Sequence, residues 1–124
     1  MTQSKKGRIL IVDDEDDLRN LLGHVLSNAG YEIVSAMDGE HAITLLQKQK
    51  FDLALLDIQM PNVNGIQVLQ FVHNHRPTTK AIMLTGYADL SNAMEAKEFG
   101  ARDFIAKPYK VDDILSTIDR VLHE

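Results

Sequence analysis

Five short apolar runs alternate with five stretches of helical periodicity along almost the whole chain, and this alternation constrains the fold most. Residues 18–26, for example, repeat leucine and valine at the three- and four-residue spacing of one helix face. Strands that alternate with helices predict a parallel sheet covered by helices on both sides. The strands are predicted at residues 8–12, 31–35, 52–56, 80–84 and 102–106.

Right-handed crossovers limit the topologies open to such a chain. We expect a doubly wound (βα)5 domain, an α/β three-layer sandwich of the flavodoxin-like kind with strand order 2-1-3-4-5. The 124 residues, 44% of them hydrophobic, suffice for one domain with its own core. The prediction is a single domain over residues 1–124, in which residues 1–7 form a solvated lead-in.

Composition excludes several classes of function. Eighteen acidic residues against 13 basic ones give a net charge of −5, which disfavours direct binding of nucleic acid. The chain has no cysteine, so disulfides and thiol catalysis are excluded. No apolar run reaches the length that crosses a membrane. We expect a cytoplasmic protein that contacts neither nucleic acid nor membrane.

Polar residues directly follow four of the predicted strands. Ligands of open parallel sheets bind outside the carboxyl ends of the strands, so these side chains are expected to meet at one place. They are Asp13, Asp14, Asp57, Thr85 and Lys107.

The three carboxylates predict a cation site. Two like charges about 4 Å apart repel by roughly 4 kcal/mol at an effective dielectric constant of 20. Such a cluster is costly unless a cation is present or one group is protonated. Oxygen ligands with open positions suit Mg²⁺. The alternative is that Asp13 or Asp14 merely caps the first helix, while Asp16 and Asp17 are expected only to favour its dipole.

Lys107 and Thr85 add donors for an anion at the same edge. The Lys107 ammonium can pair with the carboxylates and later with a phosphate, and the Thr85 hydroxyl can donate to a phosphoryl oxygen. Gly86 leaves room beside the backbone. Each residue alone also fits an ordinary strand end, but together they indicate a phosphoryl site.

Four motifs resemble the receiver domain of bacterial two-component response regulators. They are ILIVDDE at residues 9–15, LLDIQMP at 55–61, MLTGY at 83–87 and FIAKPY at 104–109, and the resemblance extends over residues 8–122. It implies that Asp57 is the phosphoacceptor. Asp14, Asp57 and the Gln59 carbonyl would bind Mg²⁺, or alternatively Mn²⁺, with Asp13 acting largely through water.

The resemblance also implies how the molecule switches. Thr85 and Lys107 would contact the phosphoryl group, Phe104 occupies an aromatic switch position, and the Lys107–Pro108 peptide is cis. Phe104 lacks the hydroxyl of the tyrosine often found there, so only the steric part of that switch is expected. Gln59 and Tyr87 would overlook the attacking water and tune the lifetime of the phosphorylated state.

The implied function is a signalling switch and not a true enzyme. A sensor histidine kinase or a histidine phosphotransfer protein would donate the phosphoryl group to Asp57. The face of helix 4, strand 5 and helix 5 would then control an output domain, a downstream protein or a homodimer. Both a stand-alone receiver and a domain of a longer regulator fit the sequence.

Three other interpretations fit the sequence less well. A small phosphatase with an aspartyl nucleophile would need a cap insertion, which the chain lacks. A flavodoxin-like cofactor binder would need a neutral loop after the first strand, where residues 13–17 are all acidic and would repel phosphate. A degenerate receiver that is never phosphorylated would lack part of the residue set that is complete here.

Overall fold

The computed structural model describes residues 6–60, 62–86 and 90–124, and within them five strands alternate with five helices. All neighbouring strands are parallel, in the order β2-β1-β3-β4-β5, which confirms the predicted fold. None of the helices in these ranges is long and apolar enough to cross a membrane. The elements are β1 (Arg8–Val12), α1 (Asp16–Asn28), β2 (Glu32–Ala36), α2 (Gly39–Lys48), β3 (Leu53–Asp57), α3 (Gly65–His75), β4 (Lys80–Thr85), α4 (Leu90–Glu98), β5 (Asp103–Ala106) and α5 (Val111–Leu122).

Strand boundaries differ from the prediction by one residue at several ends. Asp57 and Thr85 were expected just after their strands, but each is the last residue of its strand. The register pairs Asp57 with Leu84 and Thr85 with Ala106. The boundary was misplaced because ladder pairing involves the backbone, which a polar side chain does not interrupt.

The sheet separates two hydrophobic cores. Along β1, Leu10 and Val12 point toward the core under α2 and α3, whereas Ile9 and Ile11 point toward the core under α1 and α5. This alternation follows from the two-residue period of a strand. Strand β3 is buried along its whole length, as expected for a central strand covered on both faces.

Some apolar residues that were expected to pack are exposed. The inner face of α1 consists of Leu22 and Leu26, whereas Leu21 lies at its edge and is 49% exposed. Met37 and Met94 are also exposed. The spacing of apolar residues predicted the helix correctly, but the buried face of α1 is narrower than that spacing indicated.

Helix starts at the carboxyl end of the sheet are set by local capping. Asp38 accepts a hydrogen bond from the His41 N–H at 2.8 Å and begins α2. Asn64 and Gln67 form a reciprocal capping box at the start of α3. Helix α1 is preceded by Glu15, so neither Asp13 nor Asp14 is its capping residue.

Gly65 lets α3 begin directly against the end of β3. A Cβ atom at this position would lie 2.1 Å from the Asp57 carbonyl oxygen, a distance that no side chain tolerates. The Gly65 N–H donates to the Ile58 carbonyl at 3.1 Å and closes the intervening segment. Gly65 therefore fixes the path of the backbone that follows Asp57.

Replacing Gly65 with alanine is expected to lower the free energy of unfolding by about 1–3 kcal/mol, because the new methyl group overpacks against the backbone of β3. Urea unfolding measures this difference. The matched control is Gly23→Ala within α1, where a Cβ would meet only Ile33 Cγ2 at 3.7 Å. A Gly65→Ala protein as stable as the control protein would contradict the steric account.

Candidate functional site

Three carboxylates meet at the carboxyl ends of β1 and β3. One oxygen each of Asp13, Asp14 and Asp57 lie within 4.8 Å of one another. Asp13 is fully buried and Asp57 is 5% exposed, whereas Asp14 faces solvent. The cluster follows from the strand order, which places β1 next to β3.

The polar groups of Asp13 are held by neighbouring backbone. Its N–H donates to the Ala36 carbonyl at 3.3 Å, and its Oδ1 accepts from the Glu15 N–H at 2.9 Å. Its Oδ2 is buried and accepts no hydrogen bond from any group that the structure describes. This buried oxygen has the Lys107 ammonium 3.5 Å away, and its lone pairs also suit a cation or the water of one.

Lys107 supplies the positive charge of the site. Its Nζ lies 3.2 Å from Asp57 Oδ2, 3.5 Å from Asp13 Oδ2 and 3.8 Å from Glu15 Oε1. The residue follows β5, and its N–H donates to the Thr85 carbonyl at 2.7 Å. The Lys107–Pro108 peptide is cis, as the resemblance implied.

The pKa values at the site reflect burial and crowding of charge. Burial raises the pKa of Asp57 to about 6, an effect that Lys107 reduces, Asp13 increases and the Gln59 N–H reduces. Burial also disfavours the charge of Lys107, but Asp57, Asp13 and Glu15 outweigh it and raise the Lys107 pKa. Lys107 is therefore an ammonium at neutral pH, while Asp57 is a carboxylate that is costly to ionise.

A cavity of about 290 Å³ opens above this cluster. The cavity is small and most of its lining side chains are polar, which suits a hydrated cation or a phosphoryl group better than an apolar ligand. Among the lining residues, the Gln59 N–H donates a hydrogen bond of 3.3 Å to Asp57 Oδ1. The lining residues are Asp14, Glu15, Asp57, Gln59, Gly86 and Lys107.

The two residues expected to switch lie on neighbouring strands. Thr85 is half-buried at the end of β4 and directly precedes Gly86 of the cavity lining. Phe104 is half-buried in β5, opposite Met83, and packs against the core under α2 and α3. Tyr87, which was expected to tune the site, lies outside the described residues.

Sequence reasoning missed three residues of the site. Glu15 faces Lys107, and Arg19 donates from α1 to the Asp13 carbonyl at 2.7 Å. The Tyr109 hydroxyl is buried without a hydrogen-bond partner among the described groups, and burial, followed by the charge of Asp13, raises its pKa. Glu15 and Tyr109 are the last residues of two of the quoted motifs, and this was the available sequence signal. No sequence signal pointed to Arg19, whose role depends on the geometry of the turn.

Comparisons with known proteins identify the family. The family model for the response regulator receiver domain matches residues 9–119. Sporulation initiation phosphotransferase F of Bacillus subtilis is 35% identical over 115 residues, which are 93% of this chain and 93% of that protein. The chain therefore belongs to the response regulator receiver family, and the resemblance in its motifs is confirmed.

Solved structures agree with this assignment. A CheY-like receiver domain protein from Methanospirillum hungatei JF-1 has a TM-score of 0.92 and 37% identity, and the match covers 97% of this chain and 95% of that one. Regulatory protein AtoC of Escherichia coli is 37% identical over 93% of this chain. The chain spans only 25% of AtoC, so the match concerns one part of that protein.

Replacing Asp57 with asparagine is expected to stabilise the protein in solution free of divalent cations. The folded-state pKa of about 6 lies above the usual 3.8, so folding favours the protonated acid. The stability of the unmodified protein thus falls, relative to the variant, as pH rises from about 4 to 6. Above pH 6, the free energy of unfolding of Asp57→Asn is expected to exceed that of the unmodified protein by about 1–3 kcal/mol, as measured by urea unfolding.

The control is Asp17→Asn on the exposed first turn of α1, which is expected to bring no gain in stability. An Asp57→Asn protein whose stability relative to the unmodified protein does not change between pH 4 and 7 would disprove the buried-charge account.

Proposed function

We propose that this protein is a phosphorylation-controlled signalling switch whose phosphoacceptor is Asp57. The observation that carries the proposal is a buried carboxylate 3.2 Å from the Lys107 ammonium and clustered with Asp13 and Asp14 at the mouth of a small cavity. Family membership supports this function over a phosphatase or a cofactor binder. The donor is a phosphohistidine of a sensor histidine kinase or of a histidine phosphotransfer protein.

The oxygen donors of the cluster fit a hard divalent cation. Asp14, Asp57 and the Gln59 carbonyl would hold Mg²⁺, or Mn²⁺ as the alternative, with Asp13 acting through water. When bound, the cation neutralises carboxylate charge and the charge of the phosphoryl oxygens. The buried Asp13 Oδ2, which accepts no hydrogen bond from the described part of the chain, supports this assignment.

The chain's own groups position the transfer. An Asp57 oxygen forms a bond to phosphorus while the bond from phosphorus to the donor histidine nitrogen breaks. The departing imidazole nitrogen keeps the electron pair and takes a proton from solvent. Lys107 stabilises the negative charge of the transferred oxygens, and hydrolysis by water later restores the Asp57 carboxylate. The protein acts on itself and turns over no external substrate.

The proposed switch connects Asp57, on the central strand β3, to the edge of the sheet formed by β5. New phosphoryl oxygens attract the Thr85 hydroxyl, which draws in the segment after β4 and opens space for Phe104 to rotate. The half-buried position of Phe104 is consistent with such a rotation. The population of two conformations of the α4–β5–α5 face then changes.

That face is the proposed contact for an output domain, a downstream protein or a second copy. Two arrangements are represented among the relatives, since the chain spans nearly all of sporulation initiation phosphotransferase F but a quarter of AtoC. A phosphorelay intermediate and a domain of a longer regulator are therefore both compatible with the proposal. We place either of them in the cytoplasm, where its kinase donor would have access to ATP.

Incubation with acetyl phosphate and Mg²⁺ is expected to add one phosphoryl group, observed by intact-mass spectrometry. The adduct requires a divalent cation because the carboxylate cluster repels the donor without one. Asp57→Ala is expected to abolish the adduct.

The matched control is Asp52→Asn, which changes the aspartate just before the other end of β3 and leaves the site intact. This control is expected to form the adduct. An adduct that persists in Asp57→Ala would refute the assignment of the phosphoacceptor, and no adduct in the unmodified protein would indicate a degenerate receiver.

Replacing Tyr87 with alanine is expected to shorten the lifetime of the phosphorylated protein, because its proposed role is to shield the phosphoryl group from water. The decay of the intact-mass adduct after removal of acetyl phosphate measures this rate. Tyr31→Ala serves as the control, since Tyr31 is buried in the core under α1 and α5. An unchanged decay rate in Tyr87→Ala would rule out shielding.

A further inference from the structure

The Arg19 side chain lies beneath the acidic turn, and only 13% of it is exposed. Its Nη1 donates to the Asp13 carbonyl at 2.7 Å, and its Nη2 donates to Asp16 Oδ1 at 2.5 Å. The Arg19 N–H also donates to the Glu15 carbonyl at 3.0 Å. One residue therefore ties the end of β1 to the first turn of α1.

The Asp13 carbonyl has particular importance because it belongs to the peptide that joins Asp13 to Asp14. Rotation of this peptide would move both carboxylates relative to Asp57. The other groups of Asp13 are engaged through its N–H and Oδ1, and its buried Oδ2 faces the Lys107 ammonium at 3.5 Å. The guanidinium thus orients the turn without forming a hydrogen bond to the Asp13 carboxylate.

We propose that Arg19 is a positioning residue that sets the divalent-cation affinity of the site by fixing the Asp13–Asp14 peptide. This inference rests on the proposed function. Residues that hydrogen-bond to the metal ligands and orient them typically matter for metal affinity, which falls about 10- to 100-fold when such a residue is replaced. A planar guanidinium suits this role because it bonds the carbonyl and the Asp16 carboxylate together in one geometry.

A simple electrostatic role would have the opposite effect. The Arg19 charge lies beside the acidic cluster, so by Coulomb's law its removal would make the site more attractive to a cation. Loss of positioning makes the site weaker. The sign of the change in affinity therefore distinguishes the two roles.

Calorimetric titration of Mg²⁺ into the purified protein tests the proposal. In Arg19→Ala the dissociation constant is expected to rise about tenfold. Arg19→Lys keeps the positive charge but loses the paired donors of the planar guanidinium. Its dissociation constant is expected to lie between those of the unmodified protein and Arg19→Ala. Equal or tighter binding by Arg19→Ala would overturn the proposal.

Arg76→Lys provides the control for a general loss of stability. Arg76 also donates to backbone carbonyls, those of Leu46, Gln47 and His75, but it lies at the far end of α3. Its replacement is expected to lower the unfolding temperature and to leave Mg²⁺ affinity unchanged. Reduced affinity in this control would attribute the Arg19 effect to stability and overturn the proposal. Absence of Mg²⁺ binding by the unmodified protein would instead remove the proposed function itself.

Discussion

Two buried carboxylates, Asp13 and Asp57, share one ammonium, and the carboxyl end of the sheet is built around this excess of negative charge. Lys107 compensates part of it, and burial makes the rest costly, as the raised Asp57 pKa shows. A site with uncompensated negative charge is stabilised by any bound group that brings positive charge. The arrangement favours a divalent cation and, through it, a phosphoryl group, over a neutral ligand.

Much of the architecture follows from elementary patterns in the sequence. The alternation of strand-length apolar runs with helical periodicity predicted a parallel doubly wound sheet, and the expected strand order is one of the two common orders for such sheets. The observed order is the expected one, and it brings Asp13, Asp14 and Asp57 together. Side-chain environments were harder to predict. The position of Leu21 on the edge of α1 depends on how far the helix is rotated over the sheet, which periodicity does not specify.

The site was predictable to the extent that its residues follow strands. Arg19 was not predicted as a site residue because it acts through the geometry of a turn, which the sequence does not show. Glu15 ends a recognised motif, but its contact with Lys107 appears only in the fold. Asp13 illustrates the difference: its place after β1 followed from the sequence, but the burial of its Oδ2 without a hydrogen bond from the described residues did not. The roles of Thr85 and Phe104 in switching, and of Tyr87 in tuning the phosphorylated state, are proposals.

Asp57 is part of the strand ladder, and this has a consequence for the transmission of a signal. Its backbone pairs with β4, and Gly65 packs so closely against its carbonyl that a Cβ there would clash, so the backbone around its side chain is tightly held. If Asp57 accepts a phosphoryl group as proposed, we expect the adjustment to fall on the segments that leave the sheet after β4 and β5. The fixed backbone of Asp57 would then give the response its direction.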